Sequence, residues 1–346
     1  MRIKYFSLGF GALVGAALLV LTFLLMSPDE NYKEVDFPFG FEGITIAGKL
    51  ILPLVPNEKP IDCMIFVHGD GAMPHDAFGY FVPYFSYFAQ NNMCTLSWDK
   101  PGVNGSDGDW LDYSMEDRAA LVVAAIATLR SNTVQPIGKI GVIGFSQAGW
   151  VLPKVDPNIN EVAFYIFVSP AINWMRQSAY MSSLRQGDAP VDPVAARREK
   201  LIDDLLLSGA LYAAFEELAS GEPDLGAEEF SKSRWNFVVK NAHADLTADL
   251  GQVQGTPVLL LTGARDGQVD ALETIEVFKE VLGETNLQTH VFEKAGHSML
   301  EVGQRRPMQD WDGIWIIIKT AFMGRDAFID GYWAAIDDFV AAQTER

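Results

Sequence analysis

The chain has 346 residues, with 26 Lys and Arg against 45 Asp and Glu, a net charge of −19, five His and two Cys. An apolar share of 49% with 22 Phe excludes a disordered chain, and the charge argues against nucleic acid, whose phosphates need clustered Lys and Arg. Two cysteines exclude a disulfide scaffold and a four-Cys zinc site, and the length suits one large domain or one domain with an insertion.

Arg2 and Lys4 precede an apolar run, residues 6–26, whose only polar side chains are the hydroxyls of Ser7 and Thr22. As a helix it would be about 31 Å long, the thickness of a bilayer core. Leu24-Leu25-Met26-Ser27-Pro28 offers no small-x-small cleavage site, which favours an uncleaved signal anchor over a cleaved signal peptide. Positive charge ahead of the run predicts a cytoplasmic N-terminus, with the rest of the chain outside the cytoplasm (periplasmic in a Gram-negative cell). Gly11 and Gly15 fit the ordinary composition of membrane helices better than a dimer face.

From Asn31 the pattern is that of a soluble domain. Strands are expected over 35–41 and 44–52 around Gly43, then 61–67, which stops at His68-Gly69-Asp70-Gly71. A helix is expected over 78–90 and a strand over 93–98, stopped by Asp99-Lys100-Pro101-Gly102. Ser114 and Asp117 form a capping-box pattern that opens a helix to residue 129. Further strands are expected over 139–145, 162–168, 257–262 and 288–292, with a short helix ending near Pro153 and another helix over 271–282. Strands alternating with helices imply a mostly parallel sheet. The alternation breaks over 172–250, where only helical patches occur (193–206, 210–218, 228–241), so this stretch is expected to be a helical insertion. Residues 314–322 are apolar but too short to span a bilayer and are expected to be a core helix, followed by an amphipathic helix over 326–342.

In an open parallel sheet, ligands bind beyond the carboxyl ends of the strands. Gly144-Phe145-Ser146-Gln147-Ala148-Gly149 lies between a strand and a helix in a G-x-S-x-G-like pattern, with Ala148 in the last position. A serine there sits in a tight turn, needs small neighbours, and has the Gln147 N–H beside it as an oxyanion donor. Such a serine needs a base and an orienting acid in the chain order Ser, acid, His. Of the five His, only His297 follows the last strand. Asp266 follows the strand before it, whereas Asp270 with Glu273 reads as the N-cap of the next helix. The glycines of 68–71 allow close backbone approach and offer the Asp70 N–H as a second oxyanion donor. His68 is expected to be structural and His75 a surface loop residue.

With these residues in place, the chain resembles the α/β-hydrolase superfamily. Val67–Gly71, Trp98–Ser106 and Gly144–Trp150 are similar to a bacterial group of serine hydrolases related to esterases, acyl-CoA thioesterases and serine aminopeptidases. The resemblance covers roughly residues 43–300 apart from the insertion, and departs from the family at Ala148 and Asn104, where glycine is usual. It implies that Asp99 is scaffold in a structural turn near the site, and that 172–250 caps the site, with Trp174, Tyr180, Tyr212, Phe215 and Trp235 either lining an acyl pocket or packing the cap.

The expected architecture is an anchor (1–29), a first core part (30–171), the cap (172–250) and a second core part (251–346). The expected chemistry is hydrolysis of a carboxylic ester or thioester through an acyl-enzyme on Ser146, without cofactor or metal. A peptidase with the same triad is the rival, using Glu216, Glu217 or Asp203 to bind an amine. A catalytically dead, membrane-tethered binding protein is a more distant one. Cys63 and Cys94, each five residues before a strand end, are expected to be buried free thiols, because a disulfide between adjacent parallel strands has demanding geometry. The partner is a small acyl molecule.

Overall fold

The computed structural model describes residues 31–55, 59–131, 135–221 and 230–344. The apolar run over 6–26 lies outside the described residues. Among them no helix is long and apolar enough to cross a membrane.

Among the described residues ten strands form: β1 (Tyr32–Asp36), β2 (Phe39–Phe41), β3 (Ile44–Ile46), β4 (Gly48–Pro53), β5 (Ile61–Val67), β6 (Cys94–Trp98), β7 (Ile137–Phe145), β8 (Val162–Val168), β9 (Val258–Gly263) and β10 (Leu287–Phe292). Eight of them make one sheet in the order β1-β4-β6-β5-β7-β8-β9-β10. The pairs β1–β4 and β4–β6 are antiparallel, and every later pair is parallel. The two long strands expected over 35–52 are four short ones. Residues Phe39–Ile46 fold into a separate hairpin, β2 with β3, in which Glu42 and Gly43 turn with positive φ.

Period-2 alternation decides which side chains meet which helices. Ile65, Val67, Val142, Tyr165, Phe167 and Leu260 share one core with Leu121, Val122 and Leu129 of α2 (Met115–Arg130). Their neighbours Met64, Phe66, Ile143, Phe145, Ile166 and Leu261 face the other side, against α1 (Val82–Gln90) and α11 (Tyr332–Thr344). The α2 cap forms as the sequence implies: Ser114 accepts from Asp117 N–H while the Asp117 carboxylate accepts from Ser114 N–H.

Residues between β8 and β9 form α4 (Trp174–Gln186), α5 (Pro193–Leu207), α6 (Tyr212–Gly221), α7 (Lys232–Asn241) and α8 (Leu246–Leu250), after a single-turn α3 (Pro157–Asn160) that precedes β8. The helices of this insertion meet the core at specific polar contacts. Asn241 Oδ1 accepts the N–H of Met115, a first-turn donor of α2 that has no partner inside its own helix. Trp174 stacks on Trp150 at 5.0 Å. After β9 come α9 (Ala271–Leu282), capped by Asp270, and, beyond β10, α10 (Asp310–Met323).

Two expectations are corrected. Cys63 and Cys94 are not free thiols: they stand directly opposite in the β5–β6 register, 4.4 Å apart at Cα, and form a disulfide. In-register pairing on adjacent strands points both side chains to the same face, which supplies the proximity that spacing alone could not establish. The segment around 314–322 is not a core helix. Trp311 is 75% exposed and Trp315 61% exposed, because α10 lies over the sheet's carboxyl end with one face turned to solvent.

Candidate active site

The turn after β7 carries Ser146 with φ of +53°, in the left-handed region that L residues rarely adopt. Close packing holds it there. A Cβ at Gly144 would lie 2.4 Å from Leu152 and 2.9 Å from Ala148, and one at Gly149 would lie 2.7 Å from Pro170. Ala148 therefore fits only because Gly144 is bare. The serine opens not one short α-helix but two 3-10 turns, Ser146–Trp150 and Leu152–Lys154, the second with Pro153 inside it.

Asp266, 2% exposed, follows β9. Its Oδ1 accepts the N–H groups of Gln268 (2.7 Å) and Val269 (2.9 Å), and its Oδ2 lies 2.8 Å from Nδ1 of His297. The carboxylate is thus fixed by its own loop before it meets the imidazole. Gly263 must be glycine, since a Cβ would approach the Ala295 carbonyl to 2.4 Å and keep the two loops apart. Asp270 caps α9 through the N–H groups of Leu272 and Glu273 and takes no part in the site.

Ser146 and His297 line one cavity of about 510 Å³ with His68, Gly69 and Asp70. Its apolar walls are Met73, Phe78, Tyr80 and Phe81 on one side and Ile314, Ile316 and Ile317 of α10 on the other. Among the described residues, the Asp70 N–H donates to no backbone carbonyl.

A set of buried cations underlies this loop. Lys100 Nζ donates to the carbonyls of Gly69 (2.6 Å) and Gly71 (2.9 Å). Arg118 donates to the His68 carbonyl and to Gln147 Oε1. Burial first, and then the Arg118 charge, hold the Lys100 ammonium well below the usual lysine range. Burial likewise lowers Arg118, to about 10. The Asp70 side chain reaches to the insertion, where Arg234 binds both its oxygens at 3.1 and 2.7 Å. Burial raises the Asp70 carboxyl, but the Arg234 bonds and charge outweigh it and leave it below the ordinary value. Sequence reasoning missed Lys100, Arg118 and Arg234. The only trace was Lys100 inside the Asp99-Lys100-Pro101-Gly102 turn.

His68 is structural: it is 2% exposed, its Nε2 lies 2.9 Å from the Pro74 carbonyl, and burial pushes it down to about 3. His75 is not a surface residue. It is half-buried, with its N–H on Asp99 (2.8 Å) and its ring near Asp99 and Glu34. Asp99 is scaffold, as expected, and its carbonyl also accepts from Ser106.

None of the five insertion aromatics lines the cavity. Trp235 and Phe215 stack at 4.7 Å, fully buried within the insertion, and Tyr212 Oη donates to the Phe230 carbonyl. Trp174 packs on Trp150, and Tyr180 Oη donates to the Asp266 carbonyl at 2.7 Å. Glu216, Glu217 and Asp203 do not line it either.

A mostly parallel sheet with a strained serine turn and a carboxylate-bound histidine at its carboxyl end defines a hydrolase-type α/β protein. The chain belongs to the alpha/beta hydrolase family, whose model matches residues 64–309. Among curated proteins none matches it. Among solved structures it is similar to the Pyrococcus furiosus esterase Pf2001, at 15% identity and a TM-score of 0.56 over 91% of this chain and 95% of that one. It is also similar to Est1E from Butyrivibrio proteoclasticus in complex with ferulic acid, at 16% identity and 0.55 over 90% and 100%. A third likeness is to a proline iminopeptidase from Mycobacterium smegmatis, at 16% and 0.51 over 77% and 92%. At these identities the likeness is one of fold.

Proposed function

We propose that the chain is a serine hydrolase that cleaves a carboxylic ester or thioester. The observation that carries this reading is the 2.8 Å contact of His297 Nδ1 with Asp266, on an imidazole that lines one cavity with the strained Ser146. With Nδ1 committed to the carboxylate, Nε2 is the ring nitrogen left to take the serine proton. Ser146 Oγ attacks the acyl carbon as His297 removes its proton, and Asp266 steadies the imidazolium. The N–H groups of Asp70 and Gln147 receive the oxyanion. Collapse of the intermediate expels the alcohol or thiol, protonated by His297. Water, deprotonated in turn by His297, then releases the acid and restores Ser146.

An apolar acyl group suits the cavity walls better than a charged amine does. No carboxylate of the insertion lines the cavity, and the one carboxylate that does, Asp70, is held by Arg234. This favours an ester or thioester over the aminopeptidase reading. The division into anchor (1–29), core (30–171 and 251–346) and insertion (172–250) goes with this proposal. So does placement outside the cytoplasm, which the Cys63–Cys94 disulfide supports, since disulfides persist in oxidising compartments.

Fluorophosphonate labelling of the full chain, with the adduct mapped by mass spectrometry, tests the reading. One adduct on Ser146 that disappears in His297→Ala is expected, together with a fall in kcat of about 10⁵-fold in Ser146→Ala. Activity of Ser146→Ala within tenfold of the unaltered chain would sink the assignment.

A further inference from the structure

The outward face of α10 is apolar. Trp311, Ile314, Trp315, Ile318 and Phe322 are all exposed, between 41% and 75%, and their spacing of three and four residues puts them on one stripe. The opposite stripe is apolar too: Ile316 packs on the core and Ile317 lines the cavity. A solvated helix of a globular protein ordinarily carries polar residues on its outer face, so an apolar outer stripe marks a contact surface.

This surface runs into the cavity mouth. Ile314 and Met308 are exposed and also line the cavity, and Phe78, 52% exposed, stands on the opposite rim. The local charge differs from that of the molecule. Between Glu293 and Asp326 five basic residues balance five acidic ones, in a chain whose net charge is −19. Arg305, Arg306 and Arg325 are exposed at the two ends of the helix. Tryptophans on an apolar face flanked by cations match the headgroup region of a bilayer, where indole rings and cationic side chains concentrate.

We propose that the outer face of α10 docks on an anionic lipid surface and opens the cavity mouth toward it. Acyl substrate then reaches Ser146 from the lipid and not from water. The entry route rests on the proposed acyl transfer; the docking does not. A second copy of the chain suits this face less well, since it brings another −19 charge, whereas headgroup phosphates meet the exposed arginines at the two ends of α10. The same surface repels the acidic remainder of the protein. Screening over about 8–10 Å lets the near end decide, so the molecule is oriented with α10 inward.

The test uses the full chain with vesicles of equimolar phosphatidylcholine and phosphatidylglycerol that carry brominated acyl chains, which quench tryptophan on contact. Trp311 and Trp315 are the most exposed tryptophans among the described residues. Quenching in the unaltered chain that mostly disappears in the Trp311→Phe, Trp315→Phe double variant is expected. Absent quenching, or quenching unchanged in the double variant, overturns the docking. So does concentration-dependent self-association that the double variant abolishes. Residues 1–30 are present in every sample, so any tether they provide cancels in the comparison. In a second arm, Ile318→Ser with Phe322→Ser lowers hydrolysis of a vesicle-borne long-chain ester about tenfold and leaves a soluble short-chain ester unaffected. Equal loss on both substrates, or loss on neither, overturns the entry route. Quenching needs no turnover, so Ser146→Ala must show it as well. Quenching with no hydrolysis of either ester by the unaltered chain would count against the acyl-transfer reading alone.

Discussion

Two regions flank the cavity and use their apolar residues in opposite ways. The insertion over 172–250 keeps three of its aromatics to itself: Phe215 and Trp235 are fully buried against each other, and Tyr212 is tied to Phe230. The helix α10 puts Ile314, Ile316 and Ile317 on the cavity and keeps its tryptophans in solvent. The cluster of Tyr212, Phe215, Phe230 and Trp235 therefore marks a small core of the insertion's own, not a binding wall. What the insertion gives the site is polar and positional: Arg234 on Asp70, and Tyr180 on the Asp266 carbonyl.

Substitutions can break this contrast. The largest effect is expected from Trp235→Ala, which removes a fully buried ring and its Nε1 bond to the Ala210 carbonyl. It should cost about 3–5 kcal/mol of stability by chemical denaturation and leave the acyl-length profile of the remaining folded enzyme unaltered. A changed profile with unchanged stability would reverse the roles of the two regions.

A smaller effect belongs to the loop that the insertion touches. His68 stays neutral in the fold down to about 3, whereas the unfolded chain binds that proton near its ordinary value of 6.5. Between those limits the unfolded state holds more protons, so stability falls as pH drops from about 6.5 toward about 3. The loss between pH 7 and pH 5 should be about 2 kcal/mol from this group, measured by urea midpoints, and should shrink in His68→Gln. A pH dependence identical in that variant would assign the loss to other groups.

The smallest effect sharpens the comparison from the α10 side. Ile317→Ala enlarges the cavity wall and should raise the preferred acyl length, changing kcat/KM for the favoured ester by about tenfold. Little change in melting temperature is expected, because Ile317 borders the cavity more than the core. A full acyl-length series on both proteins decides it.

Much of the scaffold was legible beforehand because its signals are local. Ile61–Val67 and Val162–Val168 are short apolar runs bounded by turn residues, and Ala271–Leu282 has its cap and its period in adjacent residues. Ser146, Asp266 and His297 could be singled out as candidates for the same reason: each lies within five residues of a strand end, and a parallel sheet gathers its strand ends at one edge. Four strands in place of two before β5 were not legible, since Phe39–Ile46 leaves the sheet only because it pairs with itself.

The sequence by itself determined the strand–helix alternation, the elbow glycines, the capping residues and the order of the candidate site residues, all of which depend on neighbours a few positions away. Only the tertiary structure decided which apolar surfaces meet. The Cys63–Cys94 pair depends on β-strand register, and the cations under the loop depend on the packing of three separate segments. The cavity wall comes from α10 because that helix, and not the insertion, crosses the carboxyl end of the sheet beside His297. An apolar side chain carries the same hydrophobic free energy wherever it finds apolar company, so composition shows that it will be buried or bound and leaves the partner to the fold.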